Sequence, residues 1–254
     1  MAGPRRNYVQ RTTGCKVFGT TTITGILDKP ALLWWAYKQG LINYEDLCKE
    51  LASILNDESL EAEGKVELIF DLIAEFPVLG LYEKRDKAAN AGTLGHAFVE
   101  NHLRGLSDPE TKGLPKPVIE KAEGCYLTFL DWERGRQLKV LHSELPITSE
   151  KRPCGGTLDH VIQTSLTINT PWVEILDLKT GKGIYLEAKI QVGNYEELWN
   201  EKYPDRLVKG CHILRLGPNG EFTHEFYPTL KAYVPIFNHC SDIYYLMKDL
   251  KEKV

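Results

Sequence analysis

Gly156-Thr157-Leu158-Asp159, then Val173-Glu174-Ile175-Leu176-Asp177-Leu178-Lys179-Thr180-Gly181, then Gln191 and Tyr195, form the stretch that decides the fold. Val173 to Leu178 is apolar-rich and bounded by Pro171 and by Thr180-Gly181-Lys182-Gly183, so it reads as a strand. Residues 155–164 read as the strand before it. There Asp159 follows two glycines and a threonine, which lets the backbone come close to a ligand. Residues 138–145 read as a third strand with Glu144, a further candidate carboxylate, near its end. Carboxylates on neighbouring strands can share a divalent cation. Strand side chains alternate, so Lys179 points to the same face as Asp177 and Ile175, while Glu174, Leu176 and Leu178 face the other way. An ammonium so placed can hold or activate a water beside a metal.

Two helices are expected around these strands. The first spans residue 184 to about 201 and sets Gln191 and Tyr195 four apart on one face. The second spans 87–104, with Gly92 and Gly95 permitting close packing on the sheet and His96 and Glu100 four apart. An imidazole from that helix could complete an oxygen-rich shell begun by Asp159 and Asp177.

Upstream, residues 1–19 read as a flexible N-terminus and 17–26 as a β-leaning approach to Asp28, a candidate cap for a helix through 31–39. Periodicity predicts helices over 44–56 (Leu47, Leu51, Ile54) and 60–76 (Val66, Ile69, Phe70, Ile73), the second ended by Pro77. A proline-rich loop over 107–117 precedes a helix from 118 to about 136. Beyond the Gln191 helix come a strand over 207–216, its hairpin partner over 221–227 and a last helix over 229–251. The pattern predicts an α/β fold, a mixed sheet between helical layers, with 20–254 as one domain: a helical part over 20–83 and a core over 84–254.

These residues resemble the RecB-type branch of the PD-(D/E)XK nuclease superfamily. That family's pattern is a Gly-Thr-x-x-His-x-x-x-Glu helix, a Gly-x-x-Asp strand, an Asp-x-Lys-Thr-Gly strand and a Gln-x-x-x-Tyr helix. The matching residues stand in that order: Gly92-Thr93-Leu94-Gly95-His96 with Glu100, Gly156 with Asp159, Asp177 to Gly181, and Gln191 with Tyr195. The resemblance covers residues 20 to about 215 and implies a restriction-endonuclease-like core. It implies that His96, Asp159, Asp177 and the Leu178 carbonyl bind magnesium or manganese, that Lys179 orients the attacking water, and that Gln191 and Tyr195 organise the site and the DNA. Glu100 and Glu144 are expected just outside the metal ligands. The implied activity is a DNA exonuclease acting on strand ends in recombination, repair or genome maintenance. A structure-specific endonuclease with the same site and a non-catalytic nucleic-acid-binding module are the alternatives. Partner proteins of recombination or replication, and oligomerisation, are compatible with either activity. A sub-branch of the family carries an iron–sulfur cluster on closely spaced cysteines. Cys15, Cys48, Cys125, Cys154, Cys211 and Cys240 include no Cys-x-x-Cys pair, so no cluster is expected.

Composition agrees with a globular protein: 254 residues, 43% hydrophobic, net charge −4. No apolar run approaches the ~18 residues of a membrane span, and Met1-Ala2-Gly3-Pro4-Arg5-Arg6 has no apolar core of a secretion signal. A cytoplasmic protein with free thiols, cellular or phage-encoded, is expected. The acidic balance argues against tight duplex binding but suits a cleft lined locally by Lys84, Arg85, Lys87, Lys112, Lys116, Lys182 and Lys189. Trp34-Trp35 read as packing residues, Cys154 as a small buried one, and His102, His142, His160, His212, His224 and His239 as structural.

Overall fold

The computed structural model describes residues 8–27, 30–75 and 79–251, and side chains there other than those of 30–36, 39, 43, 74–75 and 79–87. Arg5-Arg6, Asp28 and Pro77, and the side chains of Trp34, Trp35, Lys84, Arg85 and Lys87, lie outside what is described. The chain forms two compact units, 28–89 and the remainder. The N-terminal residues therefore group with the core rather than with the helical part.

The smaller unit contains α2 (Pro30–Asn56) and α3 (Ala62–Glu75). The expected break between 39 and 44 is absent: one helix runs through Gly40, since a single glycine costs a helix only ~1 kcal/mol. Leu47, Leu51 and Ile54 are half-buried as their spacing predicts, whereas in α3 Val66, Phe70 and Ile73 are exposed. Lys65 reaches back to the Leu55 carbonyl at 2.9 Å and ties the turn.

The larger unit is built on a mixed seven-stranded sheet flanked by helices. Its strands are β1 (Tyr8–Val9), β2 (Lys16–Gly19), β3 (Lys139–Thr148), β4 (Cys154–Gln163), β5 (Val173–Lys179), β6 (Val208–Leu216) and β7 (Phe222–Tyr227), in the order β1-β2-β4-β5-β6-β7, with β3 also on β4. Residues 8–9 and 16–19, expected in a flexible end, are thus paired strands. Gln10 fixes them by donating to the carbonyls of Ser149 and Arg152, both at 3.0 Å. Strand β3 runs past Leu145 because it pairs only with β4, so the missing N–H of Pro146 is tolerated.

The helices are α1 (Thr20–Thr24), α4 (Leu79–Leu103), α5 (Lys116–Glu133), α6 (Leu186–Lys202) and α7 (Val234–Lys251). Alternation along the strands divides the core. Val173, Ile175, Cys211 and Ile213 pack with Ile190, Tyr195 and Trp199 of α6 and Phe237 of α7. Leu176, Leu178, Leu214 and Leu216 pack on the other face with Val99 of α4 and Cys125, Phe129 and Trp132 of α5. Asp177 falls on the α6 side and Leu178 opposite, as the period of two requires. Among the described residues no helix is long and apolar enough to cross a membrane.

Candidate metal centre at the fork of the sheet

Strand β4 shares one edge between two partners. It pairs with β2 at Cys154 and Gly155, and with β5 only from His160 onward, where His160 faces Leu176. Residues 156–159 lie between, at a fork. The Asp159 carboxylate fills it, its Oδ2 accepting the Leu178 N–H at 2.8 Å. His96 on α4 brings Nδ1 to 3.7 Å from the same oxygen.

Glu144 arrives from the other edge of β4. Its neighbours Ser143 and Leu145 face His160 and Leu158, so the register sets Glu144 opposite Asp159. Its backbone has φ +49°, a left-handed conformation uncommon for a glutamate. One ligand atom from each of His96, Glu144 and Asp159 lies within 4.8 Å of the others. Glu144 therefore sits in the cluster itself rather than outside it. Glu100 takes a different place, accepting from Arg104 at 2.7 Å one helical turn away.

Asp177 and Lys179 lie outside that group of three, but near enough that Asp159 acts on the charge of both and His96 on that of Asp177. Asp177 is fully buried and its Oδ1 has no hydrogen-bond partner; Oδ2 meets the Lys179 ammonium at 2.5 Å. Burial pushes the Asp177 carboxyl up to about 6; Lys179 opposes this and Asp159 adds to it. For Lys179, burial works against the charge, but Asp177 and Asp159 outweigh it and the ammonium is held above its ordinary range. About a quarter of its side chain remains exposed.

Helix α6 locks this lysine. Lys179 Nζ donates to Gln191 Oε1 at 3.3 Å, and Gln191 Nε2 donates to the Tyr195 hydroxyl at 2.7 Å. Tyr195 is 3% exposed and, chiefly through burial, its phenol is held well above 10. It orients Gln191 and does not itself reach a ligand in solvent. The motif glycines make this closeness sterically feasible. A Cβ on Gly156 would strike the Tyr195 ring and come 2.9 Å from Thr20 Oγ1, and one on Gly92 would come 2.6 Å from Thr180 Oγ1.

Four of the six histidines read as structural, His102, His160, His212 and His224, are held by protein partners. His160 accepts or donates with Ser143 at 3.0 Å and burial lowers it to about 4. His102 pairs with Glu133 at 2.6 Å, and His212 with Glu174 at 3.1 Å and His224 at 2.9 Å. Cys154 is buried, its thiol pushed up to about 12 by desolvation. Of the expected basic lining, Lys116 pairs with Glu120 at 3.4 Å and Lys189 with Glu225 at 3.0 Å. Sequence reasoning missed Tyr8, whose hydroxyl lies 2.9 Å from Thr157 Oγ1, two residues before Asp159. No signal in a two-residue strand marks it.

No protein-family model matches this chain, and no curated protein matches its sequence.

Proposed function

We propose that this chain is a divalent-metal-dependent nuclease with a PD-(D/E)XK-type core, acting as an exonuclease on DNA strand ends. One observation carries the proposal: the fully buried Asp177, with one oxygen that has no partner, pairs with Lys179 and lies close enough to Asp159 and His96 of the three-residue group to feel their charge. Three carboxylates and one imidazole fit a hard or borderline divalent ion, magnesium or manganese. An unpartnered buried carboxylate oxygen is costly unless a cation meets it. His96, Glu144, Asp159 and Asp177 would hold that ion, with the Leu178 carbonyl as a fifth donor suggested by the resemblance. Bound there, the ion supplies Lewis-acid neutralisation of phosphate charge.

The remaining work falls to the chain's own groups. Lys179 stays protonated at neutral pH, so it serves as a hydrogen-bond donor and positive charge toward the attacking water and the phosphate rather than as a base. Asp177 and Gln191 fix its direction, and Tyr195 fixes Gln191. The preference for strand ends rests on the resemblance alone.

The test is degradation of end-labelled linear single- and double-stranded DNA, with a covalently closed circle beside them. It uses manganese, magnesium or EDTA, with wild type and Asp177→Ala. Metal-dependent loss of linear DNA only, absent in the variant, is expected. Cutting of the circle replaces the exonuclease with an endonuclease. Absence of metal-dependent cleavage of every substrate refutes the enzyme and leaves a binding module.

A further inference from the structure

Strand β4 is buried along its length except at Thr157 and Asp159, which are partly exposed. The two stand on one face of the strand, about 7 Å apart along its backbone. Solvent therefore reaches β4 at a carboxylate of the candidate metal group and at one hydroxyl beside it. Gly155 is the next position on that face, and Tyr8 covers it. A Cβ on Gly155 would lie 2.6 Å from the Tyr8 ring, and one on Gly19, its partner on β2, would lie 2.9 Å from it. The ring thus lies across two strands where neither carries a side chain. Its hydroxyl reaches Thr157 Oγ1 at 2.9 Å.

The short N-terminal strand holds this ring in place. Tyr8 pairs with Val17 of β2, and the buried Gln10, two residues on, is fixed by its bonds to the Ser149 and Arg152 carbonyls. Two tyrosines therefore flank β4. Tyr195 stands over Gly156 and is buried, whereas Tyr8 stands over Gly155 and is partly exposed. A phenol offers one donor and two acceptor positions, and among the described residues Thr157 Oγ1 is the hydrogen-bond partner of the Tyr8 hydroxyl. A neutral hydroxyl beside the acids can meet a phosphate oxygen without neutralising the carboxylates that a metal needs, as a lysine in its place would.

We infer that the Tyr8 hydroxyl, oriented by Thr157, binds the phosphate next to the one being cut on the nucleic-acid strand. This rests on the nuclease assignment. The offset is suitable: the step from Asp159 to Thr157, about 7 Å, is comparable to the separation of neighbouring phosphates along one strand.

The test is fluorescence anisotropy of a labelled single-stranded oligonucleotide with the full chain in calcium, for wild type and Tyr8→Phe. Circular dichroism checks folding, and calorimetry reads manganese binding beside it. Tyr8→Phe keeps the ring over both glycines and removes one oxygen. Loss of a hydrogen bond to a charged group is expected to weaken oligonucleotide binding about 10-fold and to leave the manganese isotherm unchanged. Thr157→Val, which removes the hydroxyl that orients Tyr8, gives the same reading if Tyr8→Phe does not fold. A methylphosphonate, which removes the charge of one phosphate, is then moved along the oligonucleotide. At the linkage that Tyr8 meets, it weakens wild type and leaves Tyr8→Phe nearly unchanged, because the two changes remove one interaction. Unchanged oligonucleotide affinity in the folded variant overturns the inference. A parallel loss of manganese also overturns it, since Tyr8 would then support the metal group rather than meet the strand. Equal methylphosphonate losses in both proteins at every linkage overturn the phosphate contact. Wild type that binds no nucleic acid refutes the nuclease assignment, and the contact falls with it; wild type and variant that bind equally well refute the contact alone.

Discussion

Asp177→Asn is expected to abolish metal-dependent cleavage and, at once, to make the metal-free protein more stable. Burial raises the Asp177 carboxyl from 3.8 to about 6 even with Lys179 beside it. A rise of that size corresponds to about 3 kcal/mol of disfavoured ionisation at neutral pH. The amide has no charge to desolvate. Removing the carboxylate also deprives Lys179 of its partner, but that side chain is 24% exposed and the ammonium keeps Gln191. The net gain is therefore about 1–3 kcal/mol, or about 3–10 °C in melting temperature. The dependence on pH identifies the cause. Below about pH 4 the carboxyl is protonated in folded and unfolded chains alike, and wild type and variant differ little. Between about pH 4 and 6 the unfolded chain ionises it while the folded chain keeps the proton, so wild type loses stability relative to the variant. Above about pH 6 the full difference is present. Thermal unfolding by circular dichroism in EDTA, from about pH 3.5 to 8, reads this directly. A variant less stable than wild type at pH 7, or a difference that stays constant across the window, refutes the reasoning. Manganese should reverse the order: at 100 times its dissociation constant it adds about 2.7 kcal/mol to wild type and little to the variant.

Three further outcomes are expected. Lys179→Met should lower cleavage by about 100-fold or more while calorimetry still detects manganese; loss of metal binding would make the lysine a structural residue. Glu144→Gln and His96→Ala should each weaken manganese at least about 10-fold without unfolding the sheet, and an unchanged titration for either removes that residue from the cluster. Gly156→Ala forces the Tyr195 ring aside, with about 1–3 kcal/mol of destabilisation and reduced cleavage; full activity would show that Tyr195 does not hold Gln191 in place.

The parts of the fold legible in the sequence are those with a strong period or strong punctuation. Strands β4 and β5 end at glycines and threonines, and the β6–β7 hairpin turns on Gly217-Pro218-Asn219-Gly220. The opposed faces of Asp177 and Leu178 followed from alternation alone. Strands β1 and β2, two and four residues long, carry no readable period. Their position depends on distant groups, such as Gln10 reaching 139 residues along the chain to Ser149. Pro146 masked the length of β3, because a proline in a strand is harmless only when that edge is free, which the sequence does not state. Glu144 was legible as a carboxylate near the site. Its left-handed backbone was not, since nothing in a glutamate announces a positive φ.

The buried acids of the larger unit differ in a way that points to a ligand at the fork. Glu174 is held by His212 at 3.1 Å and Thr164 at 3.2 Å. Glu196 is held by Thr229 and the Leu230 N–H, both at 2.7 Å. Each buried glutamate has thus been given donors, as folding alone demands. Asp177 has the Lys179 ammonium on Oδ2 and nothing on Oδ1, and among the described residues Trp132 Nε1 is the other buried side-chain atom left without a partner. The tryptophan nitrogen is neutral, in a side chain packed against Phe129, His212, His224 and Arg136. Asp177 instead feels the charges of Asp159 and His96; Glu144, with φ +49°, stands opposite Asp159, and Gly156, which admits no side chain, lies three residues before it. Unsatisfied charge, backbone strain and close approach each lower stability, and at independent positions they would be scattered. Their meeting at one fork is accounted for if a divalent ion joins Asp177 to the three ligands beside it.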